Sequence, residues 1–287
     1  MRVAPGVSFA ADTAVTRVDG RTFAAEVIPG WDIAGNANGG YLLAIIARAV
    51  AEATGNPDPV TISAHYLAPG TPGPVSIDVD VVRSGGRHAT ATATLRDAEA
   101  RPLIVTVATT TDLSRAEGPE LVDADPPAMP EPEACVAMAP PDDPTASGDG
   151  GASGPPSFMH RVDLRLHPDD AWFARDQVSG KARVRGWFRL HDDEPLDTIG
   201  LLVALDGFPP TIFNASLPVG WTPTIELTAH LRARPPTGWL RCAFSTRFVT
   251  GGYLEEDGEV WGDDGRLIAQ SRQLALVPRV SSLPAGS

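Results

Sequence analysis

Alternation of apolar and polar residues dominates the chain. Between Thr224 and Arg232, Ile225, Leu227, Ala229 and Leu231 interleave with Thr224, Glu226, Thr228, His230 and Arg232. A strand there has one apolar and one polar face. The same reading predicts strands over 22–27, 60–67, 75–83, 88–96 and 102–110, and again over 160–166, 182–190, 224–232, 238–250, 254–261 and 266–277. Two stretches break the alternation. The Gly-rich turn 36–40 opens an apolar run over 41–54, which predicts a helix. Leu196, Ile199, Val203 and Asp206 recur at steps of three and four, which predicts a second helix over 195–206 with Pro195 in its first turn.

The order of elements repeats, and so do short pieces of sequence. Ser63-Ala64-His65 matches Thr228-Ala229-His230, Gly73 matches Gly238, Gly85-Gly86 matches Gly251-Gly252, and Leu103-Ile104 matches Leu267-Ile268. The offsets are 230−65 = 165, 238−73 = 165, 251−85 = 166 and 267−103 = 164, and such constancy indicates an internal duplication. Between the copies, residues 115–156 are rich in proline, glycine, alanine and acid, without hydrophobic periodicity. That composition predicts an inter-domain linker, mostly extended or disordered. The expected division is 1–114, 115–156 and 157–287. Each half has one long helix and antiparallel-type strands, an α+β arrangement in which a curved sheet wraps a helix.

Composition narrows the chemistry. Lys and Arg number 23 against 36 Asp and Glu, for a net charge of −13, which argues against a nucleic-acid partner. Two cysteines, Cys135 and Cys242, make neither a disulfide framework nor a metal site, and fit a reduced cytoplasmic protein. No run of about 18 apolar residues predicts a membrane span, and the first residues do not read as a signal peptide. The six histidines show no close i, i+4 pair, so no metal is expected. No G-x-S-x-G elbow, P-loop or dinucleotide fingerprint is present.

Taken together, the duplicated order, the stretch Pro223-Thr224-Ile225-Glu226-Leu227-Thr228, the ending Gly265-Arg266-Leu267-Ile268-Ala269-Gln270-Ser271-Arg272-Gln273, and Asn38-Gly39-Gly40-Tyr41 resemble the type II (TesB-like) acyl-CoA thioesterases. The resemblance covers about residues 8–113 and 157–278. It implies two tandem hotdog domains, a double hotdog packed as a pseudo-dimer, and hydrolysis of a fatty acyl-CoA without a cofactor. It further implies an Asp, Thr and Gln that position water, falling here on Asp206, Thr224 and Gln273. Double hotdogs commonly pair further, so a homodimer or larger assembly is expected. A non-catalytic acyl-CoA-binding protein, a carrier-protein thioesterase and a dehydratase of the same fold stay open as alternatives.

The residues can also be weighed alone. Asp206 ends a buried helical stripe at the negative end of the helix dipole, where desolvation and dipole would both raise its pKa; a loop acid is the plainer reading. Thr224 fits any strand, and Glu226 on its face is a rival carboxylate. Gln273 shares a face with Leu267, Ala269, Ser271, Ala275 and Val277, an apolar setting that an amide must be hydrogen-bonded to occupy. Gly39 and Gly40 open a helix whose amides could hold an oxyanion, serve as turn residues, or mark a vestigial site. Arg232 is the expected substrate-binding cation, with Arg234, Arg241 and Arg247 as further candidates for phosphate contacts.

Overall fold

The computed structural model describes residues 8–138, 156–175, 178–191 and 195–278. The first half contributes β1 (Thr22–Val27), helix α1 (Gly39–Thr54), β2 (Asp58–Tyr66), β3 (Gly73–Ser84), β4 (Ala89–Arg96) and β5 (Pro102–Thr111). The second contributes β6 (Val162–Leu166), β7 (Arg183–Leu190), helix α2 (Leu201–Asp206), β8 (Thr224–Leu231), β9 (Leu240–Ser245), β10 (Tyr253–Trp261) and β11 (Leu267–Leu276). Alternation fixes which face goes inward. In β4, Ala89, Ala91, Ala93 and Leu95 are buried while the intervening threonines and Arg96 are only half-buried. In α1, the Asn38 side chain caps the Tyr41 amide, Gly55 closes the helix at φ 72°, and most side chains are buried.

All these strands join one antiparallel sheet in the order β1-β3-β4-β5-β2-β8-β11-β10-β9-β7-β6. Two-residue ladders at Thr16–Arg17 and Val136–Ala137 extend its ends, and Val249–Thr250 pairs beside β10. Leaving β6 aside, replacing each strand by its repeat partner reverses the order, so the sheet has a pseudo-twofold axis at the β2–β8 seam. The register locates that axis. Thr228 pairs with Ser63, its own repeat equivalent at 63+165 = 228, and the two hydroxyl oxygens lie 2.8 Å apart. The sheet curves around α1 and α2, which pack against each other, as the resemblance implies.

The structure moves one expected boundary and adds detail to the expected linker. Helix α2 starts at Leu201, so Pro195 precedes it; the side chain of Asp197 accepts from the Gly200 amide and shapes a turn in between. In the segment expected to be linker, Val136–Ala137 pairs with β6 and the Pro130 carbonyl accepts from Trp187 Nε1 at 2.9 Å. Residues 139–155 of that segment lie outside the described residues.

Buried Asp58 also ties the halves. It accepts from the Leu113 amide (2.8 Å), the Thr198 hydroxyl (2.7 Å) and Arg234 Nη2 (3.0 Å). Asp58→Ala strands the first two donors and is expected to lower stability by about 1–3 kcal/mol, read as a lower Tm in thermal unfolding. Little of that loss comes from half-exposed Arg234.

Candidate active site

One cavity of about 310 Å³ opens between the ends of the two helices and strands β8, β11 and β10. Asp206, Thr224, Gln273 and Gly39 all line it, together with Asn38, Tyr66 and Glu256. Its apolar wall includes Leu42, Met159, Trp172, Phe213, Phe244 and Leu254.

Asp206 is the last residue of α2, and the N-terminus of α1 points at it. Its Oδ2 accepts from the Gly40 amide at 2.8 Å and from Asn38 Nδ2 at 3.1 Å, while the same Nδ2 donates to the Asp206 carbonyl at 2.9 Å. Such proximity needs glycine. A Cβ on Gly40 would overlap the Leu202 carbonyl oxygen, and one on Gly39 would lie 2.9 Å from Tyr66 Cε1 and 3.0 Å from Asp206 Oδ2. Burial pushes the Asp206 carboxyl up to about 6, against the lowering effect of the Gly40, Asn38 and Gly39 hydrogen bonds. Besides the negative end of its own helix, the carboxylate faces the positive end of α1, which favours the anion.

The glycines therefore serve the second-half acid and not a vestigial site. The duplicated register makes this explicit. Thr224, Glu256 and Gln273 have as equivalents 224−165 = 59, 256−165 = 91 and 273−165 = 108, which are Pro59, Ala91 and Ala108. The pairings agree: Glu256 opposes Gln273 as Ala91 opposes Ala108, and Leu227 opposes Gln273 as Ile62 opposes Ala108. The first-half copy of this strand surface carries no polar side chain at any of the three positions.

Gln273 Nε2 donates to Thr224 Oγ1 at 2.8 Å. Strict alternation put Thr224 on the face of Glu226, Thr228 and His230; the structure corrects this. A register shift between Thr224 and Glu226 bulges β8, and Thr224 turns inward to the cavity. Glu226 stays outside the cavity lining, where it accepts from Ser63 Oγ at 3.1 Å and from the Thr228 hydroxyl.

Arg232 does not join the group. Eight residues beyond Thr224, it sits about 26 Å away along the strand at ~3.3 Å per residue. There it is exposed and donates to Gln270 Oε1 at 3.1 Å. No Lys, Arg or His is among the described residues lining the cavity, so an Asp–His pair of the dehydratase type is absent from it.

Sequence reasoning missed Asn38 as a partner of the acid, Tyr66 and Glu256. Tyr66 packs its ring on Gly39; burial, then Asp206, then Glu226 hold its phenol far above the ordinary range, so it stays protonated. Glu256 stands beside Gln273 in the β10–β11 ladder, buried, and accepts from the Thr211 amide at 2.9 Å. Burial pushes it up to about 7 against hydrogen bonding from Thr211, and the charges of Asp206 and Glu255 add to the rise. A signal was visible: Leu254, Glu256, Gly258 and Val260 alternate onto one face, and an acid among them is out of place.

Among known proteins, residues 27–111 match the acyl-CoA thioesterase N-terminal domain and residues 132–277 the acyl-CoA thioesterase C-terminal domain. An uncharacterised protein of Mycobacterium tuberculosis is 27% identical over 298 residues, spanning 90% of this chain and 91% of that protein. The chain resembles the structure of a candidate thioesterase II from Thermobifida fusca, with 31% identity and a TM-score of 0.84 over 96% of this chain and 99% of that one. A hot dog fold protein from Alicyclobacillus acidocaldarius, 24% identical with a TM-score of 0.80 over 95% and 98% of the two chains, shares the fold. Among the described residues no helix is long and apolar enough to cross a membrane.

Proposed function

The chain belongs to the acyl-CoA thioesterase family, and on that premise we propose that it hydrolyses a fatty acyl-CoA to free fatty acid and CoA. The observation that carries this reading is Asp206: a carboxylate raised to about 6, held by the first amides of α1, and sharing one cavity with the Thr224–Gln273 pair. A general base works best with a pKa near the operating pH, and this carboxylate is both ionised at pH 7 and basic enough to accept a proton.

Water held between Asp206 and the Thr224–Gln273 pair attacks the thioester carbonyl carbon and gives its proton to Asp206. Because Gln273 already donates to Thr224 Oγ1, the Thr224 hydroxyl proton is left to donate elsewhere, toward the water. Collapse of the tetrahedral intermediate breaks the C–S bond, and the proton on Asp206 passes to the departing thiolate. The α1 amides are occupied by Asp206 and are not the oxyanion donors. The apolar wall receives the acyl chain, a division of labour usual for pockets of this size. With no Lys or Arg in the described lining, the CoA phosphates stay outside on the surface.

The test is thiol release from a panel of acyl-CoAs from acetyl to palmitoyl. Turnover by the wild type, with Thr224→Val lowering kcat by about 10²-fold, is the expected result, since losing one positioned donor costs about that much. Tight acyl-CoA binding without thiol release would replace this reading by a non-catalytic binding protein.

A further inference from the structure

The cavity holds two carboxyl groups, Asp206 and Glu256, and no cation lines it among the described residues. Asp206 takes part in the proposed hydrolysis; Glu256 does not, and a buried carboxyl without a charge partner calls for a reason. Its surroundings decide its protonation. Asp206 is held by the amides of Gly39 and Gly40 and by the Asn38 side chain. Glu256 is held by Thr211, through its backbone amide to Oε2. The Thr211 hydroxyl is committed elsewhere: Thr246 Oγ1 donates its single proton to the Glu255 carbonyl at 2.7 Å, so in the 2.6 Å contact between the two threonines Thr211 is the donor.

The charged groups that act on Glu256 are Asp206 from the end of α2 and Glu255 from its own strand, both acidic. From the other elements it meets uncharged Gln273 of β11 and the Thr211 turn; Tyr66 of β2 and Thr224 of β8, also uncharged, line the same cavity. Two acids facing one cavity cannot both ionise easily, and the one with more donors keeps the charge. The proton therefore rests on Glu256. The Thr211 amide is bonded to Oε2, and Glu256 lines the cavity beside Gln273.

We propose that Glu256 is a second catalytic group of this site, a neutral carboxylic acid whose Oε1–H donates to the thioester carbonyl oxygen as negative charge develops there. The inference rests on the thioesterase reading and supplies the oxyanion donor which that reading lacks, since the α1 amides are spent on Asp206. It requires Asp206 ionised and Glu256 protonated together. Activity then rises as Asp206 loses its proton and falls as Glu256 loses its own, giving a bell whose two limbs belong to the coupled pair.

The test is the pH dependence of kcat/KM for the wild type, Glu256→Gln and Glu256→Leu, on the acyl-CoA the wild type turns over best. Glu256→Gln keeps a donor that cannot ionise. It is expected to lower the plateau by up to about tenfold and to abolish the alkaline limb while the acid limb stays. Glu256→Leu removes the donor and is expected to lower kcat by about 10²-fold with KM little changed. An alkaline limb that persists in Glu256→Gln, or wild-type kcat in Glu256→Leu, overturns the proposal while the thioesterase reading stands on wild-type turnover. If Glu256→Leu does not fold, the Glu256→Gln profile decides alone. Absence of thiol release by the wild type on every acyl-CoA removes both.

Discussion

Asp206→Asn is expected to lower kcat for acyl-CoA hydrolysis by about 10²–10⁴-fold, the usual contribution of a positioned acid–base group. KM should change little, and the acid limb near pH 6 should vanish with the carboxylate that produces it. The amide oxygen can still accept from Gly40 and Asn38, so the helix contact survives the exchange. Stability supplies an independent check. The carboxyl is raised above its ordinary value of 3.8 in the folded protein. The folded state therefore binds the proton more tightly than the unfolded chain, and stability falls as pH rises from about 4 through 6. A neutral amide escapes that penalty, so the Tm of Asp206→Asn at pH 8 should be no lower than that of the wild type. Lost activity with retained Tm marks a group kept for chemistry. Retained activity would mean that Asp206 is not the base.

Gly40→Ala is expected to damage both folding and function. The added Cβ would overlap the Leu202 carbonyl oxygen and sit 3.0 Å from Asp206 Cβ, so α1 and α2 must part. Overpacking of this kind costs about 1–3 kcal/mol, occasionally more, equivalent to a fall in Tm of very roughly 2–12 °C for a chain of this size. Parting the helices also draws the Gly40 amide away from Asp206 Oδ2. The expected signature is a lowered Tm, a kcat reduced at least tenfold, and an acid limb shifted upward because the anion has lost a donor. Thermal unfolding and a pH–rate profile on the same preparation read all three. A variant with wild-type Tm would show that the helix contact yields easily.

The strand framework was legible because both halves use the same device, alternation of small apolar and polar residues, and because the copies could be compared. The 165-residue offset read from His65 and His230 recurs in the three-dimensional register, down to the matching bulges at Pro59–Thr61 and Thr224–Glu226. Along one chain, alternation cannot register an extra residue in a strand, and so Thr224 was put on the wrong face. Steps of three and four could not place the start of α2 either, because Leu196 and Ile199, which precede the helix, continue the same spacing. Asp206, Thr224 and Gln273 came from the resemblance and do meet at one cavity. Arg232 lies outside the cavity lining because distance along a strand grows by more than 3 Å per residue, which no count of charges reveals. Gly39 and Gly40 looked like turn or oxyanion residues; their closeness to Asp206 is a contact across 166 residues that only folding creates.

The axis between Ser63 and Thr228 joins two copies that are covalently linked and need not be identical. In an assembly of two identical chains every substitution is made twice, once on each side of the axis, and a change that suits one cavity is imposed on the other. Joining the copies ended that constraint. Pro59, Ala91 and Ala108 are free to be apolar while Thr224, Glu256 and Gln273 are polar. The glycines of α1 could then be shaped to a single acid on the opposite helix. Placing polar residues at those three positions would therefore not by itself make a second site, because the first half supplies the other wall of the cavity already described.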